Sequence, residues 1–150
     1  VTAGNGIDSK TGGFGNDTVS GGSGSDTYIF GLGHGLDVVN NTNAANNDID
    51  ILRFVNGVTT SQLFLKRTGN DLIIQLLDAD ESVTFLDAYG HSSHMPDRIY
   101  IDNSLVLNLS NINQLVNALS SYAPDPITGD FSQSQRIEIS GIVSSNFVPV

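Results

Sequence analysis

A chain of 150 residues with sixteen acids, six bases and a formal charge of −10 has the length of one ordinary domain, enough to bury a sizeable core. The acidic balance argues against nucleic acid, whose phosphates need a basic face, and against anionic membrane surfaces; it invites cations or a saline exterior. There is no cysteine, which excludes disulfides and thiolate chemistry, and no apolar run approaches the roughly 20 residues of a membrane span.

The first element is a repeat. In a nine-residue register the chain reads AGNGIDSKT (3–11), GGFGNDTVS (12–20) and GGSGSDTYI (21–29). Each block has glycine in its second and fourth places and aspartate in its sixth: Gly4, Gly6, Asp8; Gly13, Gly15, Asp17; Gly22, Gly24, Asp26. A frayed fourth block, FGLGHGLDV (30–38), keeps Gly31 and Gly33, but its acid, Asp37, falls two residues late. Glycine fills no volume and costs stability in regular structure, so its repetition signals a need for bare backbone. Glycines let successive carbonyls turn toward one point, and aspartate adds a charged oxygen beside them. Several hard oxygens per site are what Ca²⁺ selects. Three strand-like residues close each block, so two blocks make one turn of a coil. Stacked aspartates repel one another without a cation between them, which makes the ion part of the fold.

Residues 41–109 carry strand chemistry. LFLKR (63–67) and LIIQLL (72–77) flank a turn built from Gly69, Asn70 and Asp71, as in a hairpin. SVTFL (82–86), RIYI (98–101), a turn at Asp102-Asn103 and LVLNL (105–109) follow. Leu72, Ile74 and Leu76 share one face while Ile73 and Leu77 take the other, so both faces are at least partly covered. The segment reads as a small antiparallel meander. Ser110 caps a helix over 111–122 with the apolar stripe Ile112, Leu115, Val116 and Leu119,. Pro124 and Pro126 stop it, and one further strand is expected at RIEIS (136–140).

The glycine–aspartate block resembles the nonapeptide repeat of RTX (hemolysin-type calcium-binding) proteins. DILRFVNGVTTSQLFLKRTGNDLIIQLLDADESVTFLDAY (50–89), with RIYIDNSLVL and the helix after it, looks like the domain that commonly follows such repeats. The resemblance implies a parallel β-roll with calcium between successive turns. One site would use Gly4, Gly6 and Asp8 with Gly21, Ser23 and Asp26. A second would use Gly13, Gly15 and Asp17 with the fourth block's backbone, around Gly31 and Gly33, and Asp37; Gly22 and Gly24 form the corresponding turn of the third block. The expected fold class is all-β: a short parallel β-roll over 1–40, an antiparallel meander cap over 41–109, and one helix with a tail over 110–150. Val19, Tyr28, Ile29 and Phe30 would start the core, continued by Leu52 and Phe54. The resemblance further implies the C-terminal end of a bacterial protein exported by type I secretion machinery and folded by calcium outside the cell. The tail would hold the export signal, and the location would be secreted or cell-surface. Val1 falls inside a repeat with no initiator Met, which reads as a piece of something longer, expected to be monomeric.

Other features have plainer readings. A flexible glycine–serine linker does not account for three in-register copies, and no phosphate-binding glycine motif is present. DADES (78–82) reads as a solvated turn, whereas Asp48 and Asp50 follow the repeats closely enough to contribute to the last calcium. Asp87, His91 and His94 lack a third strong ligand for zinc, and Arg53 and Lys66-Arg67 read as surface or pairing residues. Asp125-Pro126 reads as a turn rather than a self-cleaving bond. No nucleophile–base set and no nucleophile elbow is found, so the chain is not expected to be an enzyme. Two competing readings remain. The meander would bind a sugar or surface for a large adhesin, with Tyr89, Tyr100 and Phe85 placed to line a groove, or the chain would be the tail of a lipase, protease or pore-forming toxin.

Overall fold

The structure, a computed structural model, describes residues 1–42, 45 and 47–150; residues 43, 44 and 46, at the start of the segment read as the cap, lie outside them. The coil begins with β1 (Ser9–Lys10), β2 (Thr18–Ser20), β3 (Thr27–Gly31), β4 (Leu36–Asn40) and β5 (Ile51–Val55). A hairpin of β6 (Leu63–Thr68) and β7 (Asp71–Leu76) follows, then β8 (Glu81–Phe85), β9 (Arg98–Ile101) and β10 (Leu105–Asn108). Two helices, α1 (Leu109–Leu119) and α2 (Gln133–Asn146), and a short β11 (Val148–Pro149) complete the chain.

These strands form two facing sheets, in the orders β1-β3-β5-β9-β10-β11 and β2-β4-β8-β7-β6. From β1 to β5 the chain alternates between them, so each sheet grows by parallel addition. That addition does not stop with the glycine repeats. β8 pairs parallel to β4, and β9 parallel to β5. Among the described residues, antiparallel pairing is confined to β6–β7, β7–β8, β9–β10 and β10–β11.

Period-two alternation fills the space between the sheets. In one sheet Tyr28, Leu52 and Ile99 stand in register, as do Phe30, Phe54 and Ile101. Val19, Val39 and Phe85 do the same in the other. All nine are buried, and the Tyr28 and Phe85 rings meet edge-on at 5.8 Å, a favoured aromatic geometry. Ile29 takes the opposite face and is only half-buried. The helices pack against β6, at the edge of the second sheet, and α1 also against β10; they bury Ile112, Leu115, Val116 and Leu119 from α1 and Ile139 and Val143 from α2. Phe64 of β6 packs there against Phe131, centroids 4.8 Å apart.

The expected fold class is therefore corrected in three respects. The sheets are mixed, because SVTFL and RIYI are further parallel rungs of the coil rather than parts of an antiparallel cap. A period-two pattern reports which face is buried, and parallel and antiparallel pairing share it. There are two helices, and RIEIS lies inside the second. Ser132 accepts from the Gln135 amide at 3.2 Å while the Gln135 side chain accepts from the Ser132 amide at 2.9 Å. This reciprocal capping box starts a helix through residues whose alternation looks strand-like. Finally, α1 begins after Asn108 rather than Ser110.

The two pictures of residues 136–140 differ in a measurable way. A strand would put Ile137 and Ile139 on one face; in α2, Ile139 is fully buried and Ile137 is 68% exposed. Ile139→Ala is expected to cost about 2–4 kcal/mol in chemical denaturation, and Ile137→Ala under about 0.5 kcal/mol. Similar costs at the two positions would contradict the helix.

Candidate metal centre

The coil strands of the first sheet are entered through an aspartate two residues before an inward position, so the carboxylate points inward as well. Asp26 precedes Tyr28, Asp50 precedes Leu52, and Asp97 precedes Ile99. The three stand one above another because Thr27, Ile51 and Arg98 are in register. Asp8 heads the same column through the Ser9–Thr27 pair. The column is knitted by its own backbone. The amide of Asp8 donates to Asp26 Oδ1 at 3.0 Å, Asp26 to Asp50 Oδ1 at 2.8 Å, and Asp50 to Asp97 Oδ2 at 2.9 Å. A second, shorter column enters the other sheet, where the Asp17 amide donates to Asp37 Oδ1 at 2.8 Å. It ends there, because the residue in register with Asp37 on the next rung is Val83.

The glycine loops stack beside these columns. Gly6 donates to the Ser23 carbonyl at 2.8 Å, and Asn5 and Ser23 form a bridge between loops. The approach is close enough that a side chain on Gly22 or Gly24 would strike the carbonyls of Gly4 and Gly6, and both glycines have positive φ, +92° and +112°. Gly21 packs against the Asp26 carboxylate. Gly4, Gly6 and Asp8 are thus brought against Gly21, Ser23 and Asp26. In the other column Gly15 presents its carbonyl to Gly35, not Gly33, and Asn16 Oδ1 accepts from the Leu36 amide at 2.9 Å. Gly33 instead lies beside the Phe14 ring and donates to Glu81 at 2.7 Å, while Gly13 has open space beside it. Gly31 is not brought to the loop; it pairs with Val55 inside β3.

Burial sets the electrostatics. Asp26, Asp37 and Asp50 are each 1% exposed. Burial pushes all three carboxyls above the ordinary range, neighbouring carboxylates push the same way, and the amide hydrogen bonds pull back. The columns differ in how their oxygens are satisfied. Asp50 Oδ2 accepts from the Asn41 amide at 2.8 Å, Asn41 Oδ1 accepts from the Tyr28 hydroxyl at 2.6 Å, and that hydroxyl accepts from the Gly21 amide at 3.2 Å. Asp48 Oδ2 takes the amides of Gly24 and Ala45. By contrast, Asp26 Oδ2, Asp37 Oδ2 and Glu81 Oε2 are buried with no hydrogen-bond partner among the described residues. Native structures leave few such atoms unsatisfied, and each needs a physical explanation.

Asp97, Asn41 and Glu81 were not among the residues singled out from the sequence. A signal for Asp97 exists in the shared string of aspartate followed by alternating apolar positions: DTYIF (26–30), DILRF (50–54) and DRIYI (97–101). Elsewhere, His94 Nδ1 lies 3.3 Å from Asp87 Oδ2 and His94 stacks on His91 at 5.2 Å. Among the described residues no three His, Cys, Asp or Glu side chains gather around one point. Asp125 accepts from the Ile127 and Thr128 amides at 2.7 and 3.0 Å, which hold its carboxyl below the usual range and mark a turn. Tyr89, Tyr100 and Phe85 share no groove. Phe85 is in the core, Tyr100 lies under Arg53 at 4.9 Å and Tyr89 under Arg67 at 4.4 Å.

Fold and loops together define a two-sheet parallel coil whose turns are laid down by stacked glycine–aspartate loops. No family model matches the chain. Over 92 residues, 59% of its length, it is 41% identical to the iron-regulated protein FrpA of Neisseria meningitidis serogroup C, and the match covers 8% of that protein. The chain thus spans under a tenth of the length of this relative.

Two outcomes follow from the geometry. Gly22→Ala is expected to cost well over 1 kcal/mol in denaturation, whereas Gly4→Ala, with open space beside it, stays within about 0.5 kcal/mol. The second concerns pH. A carboxyl whose folded pKa is raised contributes stability that is full below its ordinary value and is lost as pH rises through the raised one. With chelator present, these groups should therefore raise the melting temperature as pH falls from neutral toward the ordinary aspartate value of 3.8, a range in which Asp78 and Asp125, both held low, do not yet cost stability. Asp26→Asn should flatten that slope; a melting temperature that falls over the same range would contradict the burial of charge.

Proposed function

We propose that the chain is a calcium-binding RTX module from the C-terminal end of a bacterial protein exported by a type I system. In this reading it folds on calcium outside the cell, with the β6–β7 hairpin, β10, β11 and the helices capping the coil. The observation that carries the reading is that Asp26 Oδ2 and Asp37 Oδ2, like Glu81 Oε2, are buried carboxylate oxygens with no partner among the described residues, the first two beside stacked glycine carbonyls. An anionic oxygen buried alone costs more than the roughly 1–3 kcal/mol of a neutral orphan. Either a proton or a cation must offset it, and at neutral pH outside the cell calcium is the abundant candidate.

The residues fit that ion. Asp8 and Asp26 with the carbonyls around Gly4, Gly6 and Gly21, and Asp17 and Asp37 with the carbonyl of Gly15, supply hard oxygens only. Such irregular all-protein cages suit Ca²⁺ and are poor for Mg²⁺ or for softer metals. At Asp50 the Asn41 amide already occupies the place a cation would take, so the series is proposed to end there. Similarity to FrpA supports a secreted, extracellular setting, and the iron-regulated production in that relative's name is extended to the parent of this chain as part of the same proposal. No helix among the described residues is long and apolar enough to cross a membrane.

Calcium titration followed by far-UV circular dichroism and calorimetry, with magnesium as control, tests this. Calcium should raise the melting temperature and magnesium should not; at a hundredfold excess over Kd the gain is about 2.7 kcal/mol per site. Asp26→Asn should abolish the share of the gain that comes from the Asp8–Asp26 site, about half of a two-site total, and Asp102→Asn, on an exposed turn, should leave the whole gain intact. Equal melting in chelator and calcium would remove the ion from the function.

A further inference from the structure

The helices do not close flat onto the outer face of the second sheet. Between β6–β7, α1 and the loop leading to α2 lies a cleft of about 1280 Å³, larger than the ~300–1,000 Å³ typical of small-molecule sites. None of its lining residues belongs to the glycine–aspartate loops, so it is separate from the candidate metal centre. Its charge is unusual for this molecule: Lys66, Arg67 and Arg136 are three of the six basic residues of a chain of net charge −10.

The three cations are not equivalent. Arg136 is committed to Asp78 by paired hydrogen bonds, one of them 2.6 Å. Lys66 and Arg67 make no salt bridge among the described residues. Arg67 is nonetheless held in place: its Nε donates to the Gly69 carbonyl at 2.7 Å, and its guanidinium lies over the Tyr89 ring, a cation–π arrangement. The hydroxyl of Tyr89 is buried and has no hydrogen-bond partner. An oriented arginine, a free lysine and an orphaned phenol are suited to a carboxylate.

The rest of the lining narrows the ligand. Gln75, Asn113 and Asn117 supply planar polar groups, and Tyr122 and Phe131 supply apolar rings. Asp80 and Asp130 share the lining, which repels a bare polyanion such as phosphate but accepts the hydroxyl hydrogens of a sugar. We infer that this cleft binds an acidic saccharide, its carboxylate held by Lys66 and Arg67 and its hydroxyls by the amides and acids around it. The inference bears on the sugar-binding alternative and is independent of the calcium reading.

The experiment is titration calorimetry of the folded chain, in calcium and in chelator, with tetragalacturonate against neutral maltotetraose, and with 3′-sialyllactose against lactose. At least one acidic sugar should bind about tenfold more tightly than its neutral counterpart, with affinity falling as salt rises. Which of the two binds separates a uronate from a sialic carboxylate. Lys66→Gln, an exposed position, should weaken binding about tenfold without changing the melting temperature. Tyr89→Phe should weaken binding several-fold while the free protein melts higher, because the orphaned hydroxyl is gone. Binding of neither acidic sugar, equal affinity for acidic and neutral sugars, or a Lys66→Gln variant that binds normally would each overturn the assignment.

Discussion

Carboxylates buried one above another at the mouths of successive strands are the constraint around which this molecule is arranged. Neighbouring strands lie about 4.8 Å apart, and two like charges at that distance repel by roughly 3–4 kcal/mol even at an effective dielectric near 20. The chain answers part of this with its own dipoles, since each aspartate amide is aimed at the carboxylate of the next rung. That bond does more than soften repulsion. It fixes the level of each strand against the last, and with period-two alternation it decides that Tyr28, Leu52 and Ile99 all turn inward. A slip of one residue would send both the carboxylate and the core side chains to the wrong face.

The two ends of the coil meet the same problem differently. At the glycine-rich end the rungs are short, two or three residues long in β1 and β2, and bury little apolar surface, so their stability rests on whatever offsets Asp26 and Asp37. At the other end protein groups take the place of counter-charge. Asn41, tied to Tyr28, satisfies Asp50, and Val83 replaces a third carboxylate outright. There the strands are longer, the aromatic and aliphatic stacks thicken, and two helices pack on the edge strand β6. Counter-charge governs one half and hydrophobic burial the other.

This division explains what was legible beforehand. The glycine–aspartate spacing is local: glycine for crowded, positive-φ turns at Gly22 and Gly24, aspartate for the column. It could be read without knowing the partner strand. Asp50 and Asp97 occupy the same column, but they follow Asp26 after 24 and 71 residues instead of 18, because the intervening loops and the β6–β7 hairpin vary in length. No fixed period reaches them, and only the string of aspartate and alternating apolar residues survives. Strand direction was invisible for a related reason: SVTFL and RIYI alternate whether they pair parallel or antiparallel. The Ser132–Gln135 capping box was present in the sequence and outweighs the alternation of RIEIS. Nothing local announces Asn41 as the group that satisfies Asp50.

The same geometry says where such a fold has freedom to vary. A coil strand is constrained on its inner side by the core and at its mouth by the aspartate column. β6 and β7 are inserted between β5 and β8 and carry no column residue. Leu63, Leu65, Leu72 and Ile74 meet the core's demand on their inner face, which leaves the outer face free to carry Lys66 and Gln75. The helices must cover that face to shelter Phe64, yet α1 presents Asn113 and Asn117 to the space that remains. A polar cleft at this position costs the coil none of its register and the core none of its packing. Recognition can therefore change there while the charged columns stay as they are.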